Sequence, residues 1–255
     1  MLSPRIIPCL LIKNGGLVKT IKFDNPKYVG DPINAVKIFN EKKVDELIVL
    51  DIESSINKTS PDYNLIEKIA QECRMPLCYG GGINSVDQIQ KIISLGVEKV
   101  SICSNAMDNL DLLNKGADIV GSQSIVGAID IEKIDNKYFA TKFSNQVKTK
   151  IDPSDLIDLY QENNVGEIFL NFVSNDGVMD GFDYDYIEKV FSKIKVPLTV
   201  IGGAGKIEDF KKLFEKFNLI GAAAGSYFVF KGIYRAVLIN YISKGDKLKL
   251  FKKNV

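Results

Sequence analysis

The sequence contains no histidine. This absence excludes Ser/His/Asp triads, Cys/His dyads, imidazole acid–base catalysis and most zinc sites. Any proton transfer has to use carboxylate, lysine or tyrosine side chains. We predict no metal site and no cofactor.

Cysteine is scarce, with four residues and no Cys-x-x-Cys pair. Cys9, Cys78 and Cys103 lie in apolar runs typical of strands, where a thiol packs as a small hydrophobic group, and Cys73 is the fourth. We predict that these cysteines are structural. The alternatives are a disulfide or a metal site.

Neither sign of charge dominates, since 33 Lys and Arg residues balance 32 Asp and Glu residues and leave a net charge of +1. No overall field favours nucleic acid or an anionic membrane, so any phosphate recognition has to be local. No apolar run reaches the roughly 20 residues of a membrane span. Residues 1–14 also lack the regions of a signal peptide. We expect a cytoplasmic protein that binds neither nucleic acid nor membrane.

Short apolar runs alternate with segments of helical spacing along the whole chain, which predicts a parallel sheet covered by helices in one domain, residues 1–255. The eight predicted strands are Ile6–Ile12, Leu47–Asp51, Pro76–Tyr79, Lys99–Cys103, Ser124–Asp130, Glu167–Phe172, Leu198–Ile201 and Leu219–Ala224. Three helices are expected to begin at a cap residue followed by proline, at Asp31-Pro32, Ser60-Pro61 and Asp152-Pro153.

The second half of the chain repeats the first, which favours closure of the sheet into a (β/α)8 barrel built from two half-barrels. The segment 44–48 resembles 165–169, 75–77 resembles 196–198, and Gly81-Gly82 matches Gly202-Gly203. The alternative is an open doubly wound sheet, which would not need this symmetry.

Glycine clusters follow the third and seventh predicted strands, and a small hydroxyl-bearing turn follows each cluster one unit later. Backbone N–H groups without a neighbouring Cβ can approach an anion, and a barrel brings both clusters to the same mouth. We therefore predict a ligand phosphorylated at both ends, whereas the alternative is that these glycines serve packing alone. The candidate phosphate-binding residues are Gly81, Gly82, Ser104, Gly202, Gly203, Gly225 and Ser226.

Three acids, Asp51, Asp130 and Asp176, stand at or just past the ends of predicted strands, facing the same mouth. A partly buried carboxylate there can take or give a proton, and the alternative is a helix cap or a salt bridge. We predict catalytic roles for Asp130 and Asp176, and substrate binding for Asp51 and for Gly177.

Four charges of alternating sign, Arg5, Glu46, Lys99 and Glu167, open the first, second, fourth and sixth predicted strands. In a barrel they could form a closed ring of ion pairs at the end opposite the mouth. Such a ring could be a structural plug, or it could gate a passage for a small neutral molecule.

At this level of detail the chain resembles the cyclase subunit of imidazole glycerol phosphate synthase over nearly its whole length. The segments that carry the resemblance are 5–7, 9–10, 30–32, 45–47, 50–52, 80–83, 99–102, 121–123, 128–130, 176–177 and 202–206.

The resemblance implies that the barrel receives ammonia from a bound glutaminase and uses it on a substrate with two phosphates. The gate residues of that family correspond to Arg5, Glu46, Lys99 and Glu167, which favours a gate over a plug. Lys19 corresponds to the lysine of the mobile loop in the family, and we expect it to bind the substrate or its phosphate at the mouth. Asp130 corresponds to one of the two catalytic aspartates of the family.

The sequence departs from the family at the other aspartate, because Leu11 occupies that position in the first strand. Loss of one partner of an acid–base pair costs on the order of 10²–10⁴ in rate. The phosphate turn also differs, with Cys103-Ser104 in place of the usual Asn-Thr pair. The segments 7–11 and 26–35 resemble a diverged branch linked to acetamidino-sugar formation, where ammonia passes to a separate sugar amidotransferase.

Three functions stay open at this point. The first is a barrel subunit of a glutamine-dependent amidotransferase complex that serves sugar amidination. The second is a cyclase-lyase of histidine biosynthesis in which Asp176 has taken over the missing role. The third is a non-catalytic scaffold that activates the glutaminase.

Overall fold

The computed structural model describes residues 4–218 and 220–251, and within them eight parallel strands close into a barrel. The barrel strands are β1 Arg5–Lys13, β2 Leu47–Asp51, β3 Leu77–Gly80, β4 Lys99–Ile102, β5 Ile125–Ile134, β6 Glu167–Phe172, β7 Leu198–Ile201 and β8 Ile220–Ala224. Each strand pairs with the next, and β8 pairs with β1. The predicted (β/α)8 barrel is therefore confirmed, and the open sheet is excluded.

The strand boundaries differ from the predicted ones mainly where a strand meets a turn. Ser124 belongs to a single turn of 3-10 helix rather than to β5, and β5 itself runs four residues beyond Asp130 to Ile134. Cys103 precedes a short helix instead of ending β4. The predicted first residue of the eighth strand, Leu219, lies outside the described residues.

Eight helices of the described residues follow the barrel strands and cover the barrel. They are α1 Pro32–Lys42, α2 Tyr63–Glu72, α3 Val86–Ser94, α4 Asp111–Val120, α5 Pro153–Glu162, α6 Tyr184–Phe191, α7 Ile207–Lys216 and α8 Lys244–Phe251. None of the helices in the described part of the chain combines the length and apolar character needed to cross a membrane.

Two of the three predicted helix starts are confirmed. Asp31 accepts a hydrogen bond from Asn34 N at 2.9 Å, and Asp152 accepts one from Ser154 N at 2.9 Å. The start at Ser60-Pro61 is wrong, because α2 begins at Tyr63 and Asp62 caps it through Leu65 N at 3.1 Å. Serine and aspartate are both favourable N-cap residues, so the sequence offers two starts for this helix. The structure uses the later one, Asp62.

The barrel interior is apolar between its two ends. Its buried inner side chains are Ile7, Cys9, Ile48, Cys78, Val126, Ala128, Phe169, Ile201 and Ala223. All four cysteines are free, which confirms that none forms a disulfide. Burial raises the pKa of the Cys78 and Cys103 thiols well above the ordinary value of a cysteine, so both thiols stay neutral.

Three antiparallel hairpins extend the carboxyl ends of the barrel strands and surround the mouth. The first hairpin pairs Gly16–Ile21 with Asp24–Gly30 and continues β1. The second hairpin continues β5 through Lys137–Lys142 and Val147–Lys148. The third hairpin, Phe230–Lys231 with Ala236–Val237, follows β8.

Candidate functional site

The carboxyl ends of the barrel strands enclose one cavity, and both glycine clusters line it. Every residue that the sequence analysis assigned to the mouth borders this space: Lys19, Asp51, Gly81, Gly82, Ser104, Asp130, Asp176, Gly177, Gly202, Gly203, Gly225 and Ser226. The two glycine turns thus converge on one opening, as the repeat predicts. The roles of these residues in binding and catalysis stay predictions.

The first glycine turn packs closely against the end of β2. A Cβ at Gly81, whose φ is +119°, would lie 2.3 Å from Asp51 O. The Asp51 carboxylate accepts hydrogen bonds from Glu53 N at 2.9 Å and from Ser54 N at 3.0 Å. Asp51 therefore holds the backbone just before and at the start of the short helix Ser54–Asn57, whose N-cap residue is Glu53.

Two groups on this side of the mouth, one in the first glycine turn and one in the turn after β4, already have hydrogen-bond partners in the protein. Gly82 N donates to Ser55 Oγ at 3.0 Å. Ser104 Oγ accepts from Phe143 N, in the loop of the second hairpin, at 2.8 Å. The second hairpin is thereby held over this side of the mouth.

The turn Gly225-Ser226, which follows β8, approaches a buried lysine. Lys19 is 5% exposed, and its Nζ donates to Cys9 O at 2.6 Å. A Cβ at Gly225 would lie 2.4 Å from the same Nζ, so the ammonium group would have to move if this residue carried a side chain. Burial lowers the pKa of Lys19 from its ordinary value. The described residues place no carboxylate within ion-pairing distance of this amine.

Asp130 lies at the mouth end of β5, where Asn171 Nδ2 of β6 donates to its Oδ1 at 2.9 Å. Burial raises the pKa of Asp130 to about 6, against the lowering effect of the Asn171 amide and the Cys103 thiol. A carboxyl group with this pKa can exchange a proton near neutral pH. Sequence reasoning missed Asn171, although a polar residue inside the apolar run of β6 could have indicated it.

Asp176 is bound by the first hairpin. Its Oδ2 accepts hydrogen bonds from Thr20 Oγ1 at 2.6 Å and from Phe23 N at 3.1 Å. Burial raises the pKa of Asp176, and the hydrogen bond from Thr20 opposes that shift. Thr20 and Phe23 were not among the predicted site residues, because the sequence does not show where the hairpin folds.

Leu11 lines the mouth and lies beside Leu50 in the register of β1 and β2. The wall on this side of the cavity is therefore apolar where the resemblance would place a carboxylate.

The four charged residues Arg5, Glu46, Lys99 and Glu167 form a closed ring at the opposite end, the floor of the barrel. Lys99 Nζ lies 2.6 Å from Glu46 Oε1 and 2.8 Å from Glu167 Oε2. Arg5 Nη2 lies 2.6 Å from Glu167 Oε1, and Arg5 Nη1 pairs with Glu46 Oε2. The predicted ring of ion pairs is thus present in the structure.

Charge pairing outweighs burial within this ring. The Glu46 and Glu167 side chains are only 3% and 4% exposed. Burial alone would raise the pKa of Glu167, but Lys99 and Arg5 hold it below its ordinary value. Thr199 Oγ1 also donates to Glu167 Oε1 at 2.6 Å, a contact that sequence reasoning missed.

An apolar layer separates the ring from the mouth. Ile7, Ile48 and Phe169 follow Arg5, Glu46 and Glu167 by two residues in their strands, and all three belong to the buried interior. Successive side chains of a strand point to opposite faces, so residues two positions apart share a face. Each of these apolar side chains therefore points into the barrel interior, as the charged side chain before it does. Such a layer disfavours ions far more than small neutral molecules.

Comparison with known proteins gives the family. The family described as "Histidine biosynthesis protein" matches residues 5–234. A protein of Leptospira interrogans provisionally named imidazole glycerol phosphate synthase subunit HisF is 50% identical over 98% of this chain and 100% of its own length. A Vibrio vulnificus protein provisionally named subunit hisF3 is 52% identical over 98% of this chain and 96% of its length. Imidazole glycerol phosphate synthase subunit HisF of Natranaerobius thermophilus is 38% identical over 98% of this chain and 100% of its length.

Proposed function

Because the chain belongs to the histidine biosynthesis protein family and is a HisF-like member of it, we propose that it is the barrel subunit of a glutamine-dependent amidotransferase complex whose ammonia serves sugar amidination. In this function the barrel is chiefly a conduit, and a separate sugar amidotransferase consumes the ammonia. Ordinary cyclase activity is lost or much reduced.

The observation that carries this proposal is Leu11. Cyclase chemistry by a carboxylate pair needs an acid across the mouth from Asp130, and the side chain at this position is apolar and lies beside Leu50. Of the two other acids at the mouth, Asp176 has Oδ2 engaged by two donors of the first hairpin, and Asp51 accepts hydrogen bonds from Glu53 N and Ser54 N. Asp130 is then a single acid with a pKa of about 6 rather than half of a pair.

The floor supports passage of a small neutral molecule. The Arg5, Glu46, Lys99 and Glu167 ring spans the barrel axis, and the apolar layer of Ile7, Ile48 and Phe169 lies directly behind it. Rearrangement of one ion pair would open a path for ammonia, whereas ammonium would have to shed its water in the apolar layer. We propose that a glutaminase subunit docks on this floor.

A cyclase-lyase of histidine biosynthesis is the second candidate. It is supported by the retention of Asp130 and of both glycine turns around one cavity, which suit a substrate with a phosphate at each end. In that function Asp176 would take over the role of the missing acid.

A non-catalytic activator of the glutaminase is the third candidate. The Asp130→Asn variant separates it from the cyclase-lyase, because a scaffold would keep full function of the complex without this carboxylate. An enzymatic barrel would lose activity.

The deciding experiment assays the chain together with its glutaminase for imidazole glycerol phosphate formation from the phosphoribulosyl formimino precursor and ammonia. We expect little or no turnover, and a large gain in the Leu11→Asp variant because a second carboxylate is restored. The glutaminase activity of the complex is the control for intact assembly. A normal cyclase rate in the unaltered chain, with no gain in the variant, would contradict the proposal and favour the cyclase-lyase.

A further inference from the structure

The tip of the first hairpin has an unfavourable backbone. Lys22 and Phe23, its two central residues, have φ values of +55° and +63°. Glycine and asparagine are the usual residues of such two-residue turns, because other side chains crowd the backbone at positive φ. Residues other than glycine keep a positive φ only where surrounding contacts hold the backbone in that conformation.

Asp176 supplies those contacts. Its carbonyl oxygen accepts a hydrogen bond from Lys22 N at 2.9 Å. Its carboxylate Oδ2 accepts from Phe23 N at 3.1 Å and from Thr20 Oγ1 at 2.6 Å. A single residue therefore holds both amides of the turn and the side chain that precedes it.

The next residue anchors Asp176 in turn. A Cβ at Gly177 would lie 2.1 Å from Thr20 O, so the two backbones meet closely. Arg235 Nη2, from the third hairpin, donates to Gly177 O at 2.9 Å. The segment 176–177 is thus held by contacts with both the first and the third hairpin.

Lys19 directly precedes Thr20 in the chain, and both side chains are buried. The only hydrogen bond that the described residues give to Lys19 Nζ runs to a backbone carbonyl, Cys9 O, at 2.6 Å. No side-chain partner fixes the ammonium group at Gly225. Its position there depends on where the strand from Gly16 to Ile21 is held.

From these contacts we infer that Asp176 is a positioning residue. It holds the tip of the first hairpin, and through Thr20 it keeps the Lys19 ammonium group against the Gly225 turn. The inference rests on the proposed function only in taking that turn, with Ser226, as a phosphate site. It gives Asp176 a task that needs an oxygen acceptor and no transferable proton.

The test compares Asp176→Asn, Asp176→Ala and Thr20→Val, with Asp180→Asn as the matched control, because Asp180 is an exposed acid of the same loop. Amide hydrogen exchange at Lys22 and Phe23 is measured in the full chain. The alanine and valine variants should exchange at least about tenfold faster than the unaltered chain. The Asp176→Asn variant should stay within about threefold, because the amide oxygen still accepts from Thr20 and Phe23.

A second measurement follows binding of inorganic phosphate by 31P NMR titration. Asp176→Asn should bind as the unaltered chain does, and Asp176→Ala at least about fivefold more weakly, since Lys19 is no longer held. Fast exchange in Asp176→Asn, or slow exchange in Asp176→Ala, would overturn the inference. So would lost phosphate affinity in Asp176→Asn with the hairpin still protected. If the unaltered chain binds no phosphate, the proposed phosphate site is wrong. The exchange rates then still show whether Asp176 holds the tip of the first hairpin.

Discussion

At the scale of single residues, the charge state of the mouth depends on how burial shifts the pKa of Asp130 and Lys19. Burial raises the pKa of Asp130 and lowers that of Lys19, so it moves both groups toward their neutral forms. The cavity can therefore hold a carboxyl group and an amine without an ion pair between them.

The Asp130→Asn variant should show what burial of this acid costs. The native state keeps the Asp130 proton up to about pH 6, whereas the unfolded chain releases it near pH 3.8. Between those values the native state binds more protons, so the free energy of unfolding falls as pH rises through that window. Asparagine removes this dependence.

Urea unfolding across the same pH window measures the effect. We expect the variant to gain stability relative to the unaltered chain as pH rises, by at most about 3 kcal/mol. Parallel curves for the two proteins over the whole window would contradict this assignment of the pKa.

The sequence identified the residues around the mouth but not their local partners. Asp51, Asp130 and Asp176 stand out because polar residues that end apolar runs are unusual. Thr20 and Thr199 do not, because their hydrogen bonds are made with a neighbouring strand or with a loop whose path is set by tertiary contacts. No pattern within one strand encodes those pairings.

At the scale of elements, the charged ring links four strands that are distant in sequence. Replacing Lys99 with Met leaves Glu46 and Glu167 buried with Arg5 as their only cation. We expect a loss of about 3 kcal/mol in the free energy of unfolding, as for other buried ion pairs that lose one partner. Urea denaturation measures it.

The matched control is Lys216→Met, which breaks the surface pair with Glu188, whose side chains are 37% and 62% exposed. It should change stability by no more than about 0.5 kcal/mol. A similar small loss for Lys99→Met would mean that the ring is not a buried network.

The glycine turns make a second prediction at this scale. A Cβ at Gly203, with φ +111°, would lie 2.1 Å from Gly181 O, whereas one at Gly15, with φ +72°, meets nothing within 4 Å. Both alanine variants carry backbone strain of about 1 kcal/mol. Only Gly203→Ala adds a backbone clash, so it should lose at least about 2 kcal/mol more in urea denaturation. Equal losses would show that the turn can relax.

Element order and closure were predictable because apolar runs, caps and repetition are properties of local sequence. The hairpins were not, since their strands carry mixed polar and apolar residues and become ordered by contact with the loops beside them. The wrong start at Ser60-Pro61 has a similar cause, because two adjacent cap candidates differ only in how the helix meets the core.

At the scale of the whole molecule, the proposed function gives the two ends of the barrel different tasks, and mutations should separate them. Ile119 is 53% exposed and lies at the end of α4, which precedes the start of β5 on the floor side. Ile233 is 88% exposed and lies in the third hairpin, on the mouth side. We expect Ile119→Glu to weaken binding of the glutaminase at least about tenfold, because apolar contact is lost at the docking face.

Isothermal titration calorimetry with the glutaminase measures the affinity, and Ile233→Glu is the control of the same chemistry at the other end. Weaker binding in Ile233→Glu alone would place the glutaminase on the mouth and contradict the proposed floor docking.

The floor ring also records how the two halves of the chain have diverged. The repeat that superposes Glu46 on Glu167 places Val126 where the first half has Arg5, and β8, the counterpart of β4, holds no basic residue in place of Lys99. The two carboxylates therefore correspond to each other, whereas neither cation has a counterpart. A symmetric pair of first halves would crowd two arginines and two lysines around two glutamates, and the excess positive charge would have no partner. The second half carries neither cation, so the two unequal halves together close the ring at zero net charge.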